Sequence, residues 1–209
     1  MNREQKKKAM EAYEDAVKLV GNMFDAVAES VHFAYGKRGA LERFDVLLQY
    51  SLMQVALNDG YFHIEEAKFI RDIAQYCDFC DFLRKHGFDD LTWQEIYDSD
   101  ERRWKRVLDD ARDDVISLSN DFVAIFATVD AVTASHSYID DFYNYMLAII
   151  SAIVVADGNY DEEEIFGGCL ILDRIESIKK LKKENEKTHQ KQPKAQKRTT
   201  LKDKFVKKN

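Results

Sequence analysis

The chain has 209 residues and a mass of 24.4 kDa, and 45% of its residues are hydrophobic, which suffices for the core of one large or two small domains. One proline and eight glycines are too few for the many turns of a β-sandwich or barrel, so the composition predicts an all-α protein. Three cysteines cannot close a disulfide framework, and the N-terminal residues show no apolar signal region. Together these features predict a cytoplasmic protein.

Charge is distributed unevenly along the chain. The formal net charge of -7 combines -17 over residues 1–178 with +10 over residues 179–209. The basic tail from Lys179 to Asn209 has few apolar residues and holds the only proline, which predicts disorder beyond a short helical extension through Leu181. Such a tail suits nonspecific contact with nucleic acid or an anionic membrane, or folding back onto the acidic body. A tail that only solvates the protein is the alternative.

Apolar residues recur at spacings of three and four, which predicts a succession of helices and no strand. The first helix is expected to end near Gly36, and its apolar stripe is typical either of a core helix or of a self-association seam that would form a homodimer. The second helix stops at Asp59-Gly60, and the third begins near His63. The remaining predicted helices are a short one capped by Thr92 and Glu95, two over residues 100–120 and 121–134, a long buried one from about Ser137 to Ala156, and a last one from about Asp161.

Two segments of the chain, 98 residues apart, have the same pattern of residue types. In the first, a hydrophobic helix runs into Asp59-Gly60 and an acid-rich helix start with Glu66 follows. In the second, the corresponding residues are Asp157-Gly158 and Glu164. Glycine permits the left-handed backbone that ends a helix, and a glutamate at the third helical position completes a capping box.

A hydrophobic helix followed by DGxxxxxE in both halves resembles the signature of the tellurite-resistance TerB-like family, which includes the N-terminal part of the DjlA-type co-chaperones. The resemblance covers about residues 41–175, in repeat units at about 41–76 and 139–175 of a domain that spans residues 1–178. It implies a compact helical bundle with two pseudo-symmetric helix–turn–helix repeats and a non-enzymatic, stress-associated function. The acidic insertion at 89–114 looks longer than is usual in the family.

The resemblance also implies a divalent-metal site formed by Asp59, Glu66, Asp157 and Glu164. Ca2+, Mg2+ and Mn2+ prefer oxygen ligands, and a pseudo-twofold arrangement would bring these four carboxylates together. The alternative is that each aspartate closes a turn and each glutamate caps a helix without any metal. His63 stands where the family has Ser, Thr or Asp as the cap, which weakens the expectation of a ligand role for the first half.

Motifs for catalysis are not evident in the sequence. Cys77 and Cys80 form a lone CxxC without the second pair that a zinc site needs, so they are expected to be buried or half-buried helical residues. The histidines are scattered, and neither a nucleophile elbow nor a Gly-rich phosphate loop is present. We therefore expect no enzyme, and the alternative to a metal-binding module is a metal-independent scaffold that docks a protein partner through its acidic surface or an anionic partner through its tail.

Overall fold

The computed structural model describes residues 2–28, 35–88, 92, 95–96, 99–132, 138–159 and 161–190. These residues form helices and no strand, which confirms the all-α class. The helices are α1 (Arg3–Val27), α2 (Lys37–Ala56), α3 (Ile64–Ile73), α4 (Phe79–Lys85), α5 (Glu101–Val132), α6 (Tyr138–Ile153) and α7 (Glu162–Gln190).

Helix α1 ends earlier than its apolar pattern predicts. The backbone N–H of Ala28 donates to the Phe24 carbonyl at 2.9 Å and closes the helix there. Gly36, the expected end, instead precedes α2 as its N-cap, and residues 29–34 between them lie outside the described part of the chain. The buried stripe of α1, which includes Tyr13 and Val20, packs chiefly against α6. The chain's own helices therefore cover the surface that would otherwise have formed a self-association seam.

Helix α2 lies at the centre of the bundle, and its predicted apolar stripe is buried as expected. Phe44 illustrates the packing, since its ring centroid is 6.2 Å from that of Tyr13 on α1, 6.2 Å from that of Phe122 on α5 and 6.0 Å from that of Phe142 on α6. Aromatic contacts at these distances are favourable, and they join four helices through one side chain. The position of the two Asp-Gly turns follows from this arrangement, because α2 and α6 are the helices that run into them.

Two helical features differ from the prediction. Helix α5 is one continuous helix rather than two, because its sequence contains no proline or glycine and Phe122 continues the buried stripe of Val115 and Leu118. The other difference is the unpredicted α4, where the side chain of Asp78 accepts a hydrogen bond from the backbone of Cys80 at 2.7 Å and caps the helix.

The predicted capping box of Thr92 and Glu95 is present. The backbone of Thr92 donates to the Glu95 carboxylate at 2.8 Å, and the backbone of Glu95 donates to the Thr92 hydroxyl at 3.3 Å. These reciprocal hydrogen bonds are the ones that the spacing of the two residues predicts.

Two adjacent glycines allow α7 to approach its neighbours closely. A Cβ atom added to Gly168 would lie 2.7 Å from Cγ2 of Ile150 on α6, and one added to Gly167 would lie 3.3 Å from Cβ of Asn58, just after α2. Both positions are in the interior of α7, where glycine is otherwise unfavourable. The close packing brings the first turn of α7, which carries Glu164, against the turn that follows α2.

We expect Gly168→Ala to lower the free energy of unfolding by about 1–3 kcal/mol, although alanine is the better helix former, because the added methyl group overpacks the contact with Ile150. Urea denaturation followed by circular dichroism would measure the loss. Adding Ile150→Leu removes the offending Cγ2 methyl at nearly constant volume and should restore part of the stability. A Gly168→Ala protein as stable as the parent would contradict the close approach.

Helix α7 extends further into the basic segment than Leu181, since it is helical to Gln190. Residues 191–209, the rest of the predicted disordered tail, lie outside the described part of the chain. None of the helices over the described residues combines the length and the apolar character that crossing a membrane requires.

Candidate functional site

The two Asp-Gly turns have the same local geometry. Gly60 and Gly158 have φ angles of 93° and 98°, in the left-handed region that favours glycine. Their backbone N–H groups donate to the carbonyls three residues earlier, those of Leu57 at 3.1 Å and Val155 at 3.2 Å. Each hydrophobic helix is therefore terminated in the same way, as the sequence predicts.

Each aspartate closes its own turn. Oδ1 of Asp59 accepts a hydrogen bond from the backbone of Tyr61 at 2.7 Å, and Oδ1 of Asp157 accepts one from the backbone of Asn159 at 2.8 Å. A hydrogen bond between an aspartate side chain and the backbone N–H two residues later is typical of an Asx turn. They are what the metal-free interpretation predicts for the two aspartates.

The segments that contain the two Asp-Gly turns contact each other. The side-chain amide of Asn58 donates to the backbone carbonyl of Glu163 in the first turn of α7. On the other side, Nε2 of His63 lies 3.6 Å from Oδ2 of Asp157. The connection between α2 and α3 therefore contacts the first turn of α7 and the turn at Asp157, and the sequence-predicted acids lie on both sides of this contact.

The two glutamates point inward from the starts of α3 and α7. Glu66 is fully buried, and Glu164 is 3% exposed. Oε2 of Glu66 accepts a hydrogen bond from the backbone of His63 at 2.7 Å, as a capping-box glutamate does. Oε1 of the same carboxyl group is also buried, and it has no hydrogen-bond donor among the residues that the structure describes. A buried carboxylate oxygen without a donor is unfavourable unless a proton or a cation satisfies it.

The pKa values of the two buried glutamates depend on the other predicted acids. Burial raises the pKa of Glu66 well above its usual range, and the adjoining Glu164 carboxyl group and the charge of Asp157 raise it further. Burial also raises the pKa of Glu164, as do the charges of Asp59 and Asp157, whereas the adjoining Glu66 carboxyl group, which can donate a proton to it when protonated, opposes the rise. Carboxyl groups this close cannot all ionise without a compensating charge.

The start of α7 also has a separate cap. Oδ1 of Asp161 accepts a hydrogen bond from the backbone of Glu163 at 2.9 Å, as an N-cap aspartate does. Because Asp161 caps the helix, the carboxyl group of Glu164 is available to contact Glu66 inside the bundle.

The four carboxylates are ligands of the kind that a hard divalent cation prefers. Oε1 of Glu66, which accepts no hydrogen bond from any described residue, is consistent with such a cation. In the part of the chain that the structure describes, no three acidic, histidine or cysteine side chains are yet spaced as a formed metal site would have them. A cation held between the two turns would therefore require Asp59 or Asp157 to change its side-chain conformation, or water to complete the coordination.

Cys77 and Cys80 are half-buried, as the sequence predicts, but only Cys80 is helical, because Cys77 lies in the segment between α3 and α4. Burial and nearby acids raise the pKa of each thiol to about 11. Both therefore remain protonated at neutral pH, which disfavours the thiolate that a nucleophile or a metal ligand needs.

Among the buried polar groups that sequence reasoning missed is Asp45 on α2. Its carboxylate accepts hydrogen bonds from the Tyr13 hydroxyl at 2.8 Å, the Tyr76 backbone at 2.5 Å and the Cys77 backbone at 3.0 Å. A signal was present, because Asp45 is an acid four residues after Leu41 on the apolar stripe. The carboxylate anchors the segment between α3 and α4 and is structural.

Comparisons with models of protein families, with curated proteins and with solved structures found no match. The resemblance to the TerB-like family consequently rests on the two DGxxxxxE motifs alone.

Proposed function

We propose that this protein is a non-enzymatic, stress-associated module of the TerB-like kind that binds a divalent cation through Asp59, Glu66, Asp157 and Glu164. The observation that carries the proposal is the pair of buried glutamates, one of which has an oxygen that finds no hydrogen-bond donor within the described part of the chain. Two glutamates that serve only as helix caps could direct their carboxyl groups toward solvent. Burying them against each other costs free energy that a cation would offset.

The two turns support a further part of the proposal, that the bundle contains two pseudo-symmetric repeats. Corresponding glycines have nearly equal φ angles, and corresponding aspartates accept the same backbone hydrogen bond. A cation between the turns would join the start of α3 to the start of α7. Binding would then stiffen the contact between the two halves. We expect a protein partner that detects this change to bind at the outer surface of the turns.

Burial also supports a binding role rather than a catalytic one. Both glutamates are almost inaccessible, so the site suits an ion more than an organic substrate. Ca2+, Mg2+ and Mn2+ are the candidates, because all four proposed ligands are carboxylates.

Calorimetric titration of the full-length protein with Ca2+, Mg2+, Mn2+ and Zn2+ tests the proposal. We expect saturable binding of at least one ion, with proton release because the glutamates carry protons in the free protein. The double variant Asp59→Asn, Asp157→Asn keeps the turn acceptors and the fold but should lose binding. A matched control, Asp81→Asn with Asp109→Asn, changes two acids away from the turns and should bind as the parent does. Absence of binding by every ion would reject the metal site.

A second candidate is a metal-independent scaffold whose basic segment contacts an anionic partner such as nucleic acid or a membrane. The continuation of α7 to Gln190 favours it, because the sequence of this helix includes several lysines after Leu181. Retention of the full chain on DNA or on anionic vesicles at low salt, lost at high salt and on truncation after Ile178, would support this role. Retention by the truncated protein would exclude it.

A further inference from the structure

An apolar cavity of about 260 Å3 lies between α2, α5, α6 and α7, away from the Asp-Gly turns. Most of its lining is aliphatic or aromatic, from residues that include Phe44, Leu48, Phe122, Met146 and Ile171. Arg174, which is exposed, is the charged residue of the lining. The cavity thus combines an apolar interior with a cationic group on its solvent side.

A second cavity of about 240 Å3 continues the first along α7. Both are lined by Gln54, Ile171 and Arg174, and the second extends past Leu170 to Lys105 on α5. Lys105 forms an ion pair with Glu101, one helical turn away, whereas Arg174 forms none with any described residue. No acid is found among the described residues that line either cavity. This is unusual in a body whose residues 1–178 have a net charge of -17, and it makes the opening a local site for an anion.

The shape and the chemistry of the walls restrict the occupant. The lining residues belong to helices or lie immediately beside one, and backbone groups within a helix are already hydrogen bonded, so an extended peptide would find few main-chain partners. A helix with its side chains is about 10–12 Å across and does not fit a cavity of about 260 Å3. An unbranched acyl chain needs no hydrogen bonds and adapts to a narrow apolar space.

We infer that the cavity binds an anionic amphiphile, with one acyl chain of medium length among the apolar side chains and its anionic head at Arg174 and Lys105. A free fatty acid and a single-chain phosphate ester share this chemistry. They differ in the head group, so the two can be distinguished by titration. The inference is independent of the cation proposed at the Asp-Gly turns, because the two sites have no residue in common.

Calorimetric titration of the full-length protein with dodecanoate and with dodecyl phosphate, below the concentration at which either forms micelles, tests this inference. We expect one chain to bind per protein, and the tighter of the two ligands identifies the preferred head group. Dodecanol, which lacks the charge, and hexanoate, which lacks the chain length, should each bind at least about tenfold more weakly. Equal binding of dodecanol, or no binding of either anion below millimolar concentration, would overturn the inference.

Two variants locate the ligand. Ser119→Phe places a large apolar side chain in the cavity and should abolish binding, while Arg174→Gln should weaken it about tenfold at low salt. Arg84→Gln, on the exposed face of α4, is the matched control and should leave binding unchanged. Because Arg174 is exposed, its variant should fold normally even if Ser119→Phe does not. Unchanged affinity of the folded Arg174→Gln protein would show that the head group does not lie there and would overturn the assignment.

Discussion

Replacing Asp45 by alanine is expected to lower the free energy of unfolding by about 3–5 kcal/mol, one of the two largest effects predicted for this protein. The carboxylate is fully buried and accepts hydrogen bonds from Tyr13, Tyr76 and Cys77. Each donor left without a partner costs about 1–3 kcal/mol, and water entering the vacated space would recover part of the total. Urea unfolding of the full-length variant, followed by circular dichroism, measures the loss.

Two further variants show whether the loss comes from this network. The Tyr13 hydroxyl both donates to Asp45 and accepts from the Gln75 backbone at 2.9 Å, so Tyr13→Phe should cost about 1–2 kcal/mol. Asp72, which is partly exposed and pairs with Lys6, is the control, and Asp72→Ala should cost no more than about 1 kcal/mol. If Asp45→Ala were no more harmful than Asp72→Ala, the carboxylate would not be anchoring the segment between α3 and α4.

Glu66→Gln should have the opposite effect at pH 8 in the absence of divalent cations, raising the free energy of unfolding by about 1–3 kcal/mol. Glutamine keeps the acceptor for the His63 backbone, and its amide can donate to the Glu164 carboxylate. The pKa of Glu66 is raised in the native protein, so folding at pH 8 requires Glu66 to take up a proton, a cost that the neutral glutamine does not have. The same change removes a proposed cation ligand. A saturating cation at about 100 times its Kd should stabilise the parent by roughly 2.7 kcal/mol and the variant by much less.

The pH dependence follows from the same groups. The pKa of Glu66 and that of Glu164 are raised in the native protein above the value of about 4.5 of an unfolded glutamate. At pH values between the unfolded pKa and the raised native pKa, the native state binds more protons than the unfolded state, so the free energy of unfolding decreases as pH rises. The stabilisation from the two protonated glutamates is fully present below about pH 4.5. The part due to Glu164 is lost as the pH rises through about 7, and the part due to Glu66 is lost at higher pH. Comparing the parent with Glu66→Gln at several pH values separates the contribution of Glu66 from those of the other acids.

Thermal unfolding from pH 5 to pH 9, with and without added cation, provides the measurement. The advantage of the variant should be absent at pH 5, where protonated Glu66 resembles glutamine, and should grow toward alkaline pH. A Glu66→Gln protein less stable than the parent at pH 8 without cation would mean that the native carboxylate is already compensated. Cation stabilisation that persists unchanged in the variant would remove Glu66 from the proposed ligands.

The buried stripe of α2 and the end of that helix were predictable because they depend on neighbours three or four residues apart and on one glycine. The same applies to the turn at Asp157-Gly158, whose geometry matches that at Asp59-Gly60. The short helix α4 was not predictable in this way, since its seven residues are too few to show a periodicity and its start depends on the Asp78 cap. The end of α1 at Val27 was also missed, because the apolar spacing continues past the point where the helix stops.

The all-helical class follows from apolar residues at fixed spacings along the chain, and the four acids of the candidate site were proposed from the repeated DGxxxxxE motif and the resemblance that it supports. Whether those acids meet depends on packing between distant segments. Gly167 and Gly168 let α7 approach α2 and α6, and that approach places Glu164 against Glu66 inside the bundle. The same packing sets the pKa values of the two glutamates and forms the apolar cavity beside Arg174, since burial and cavity shape arise only when separate helices come into contact.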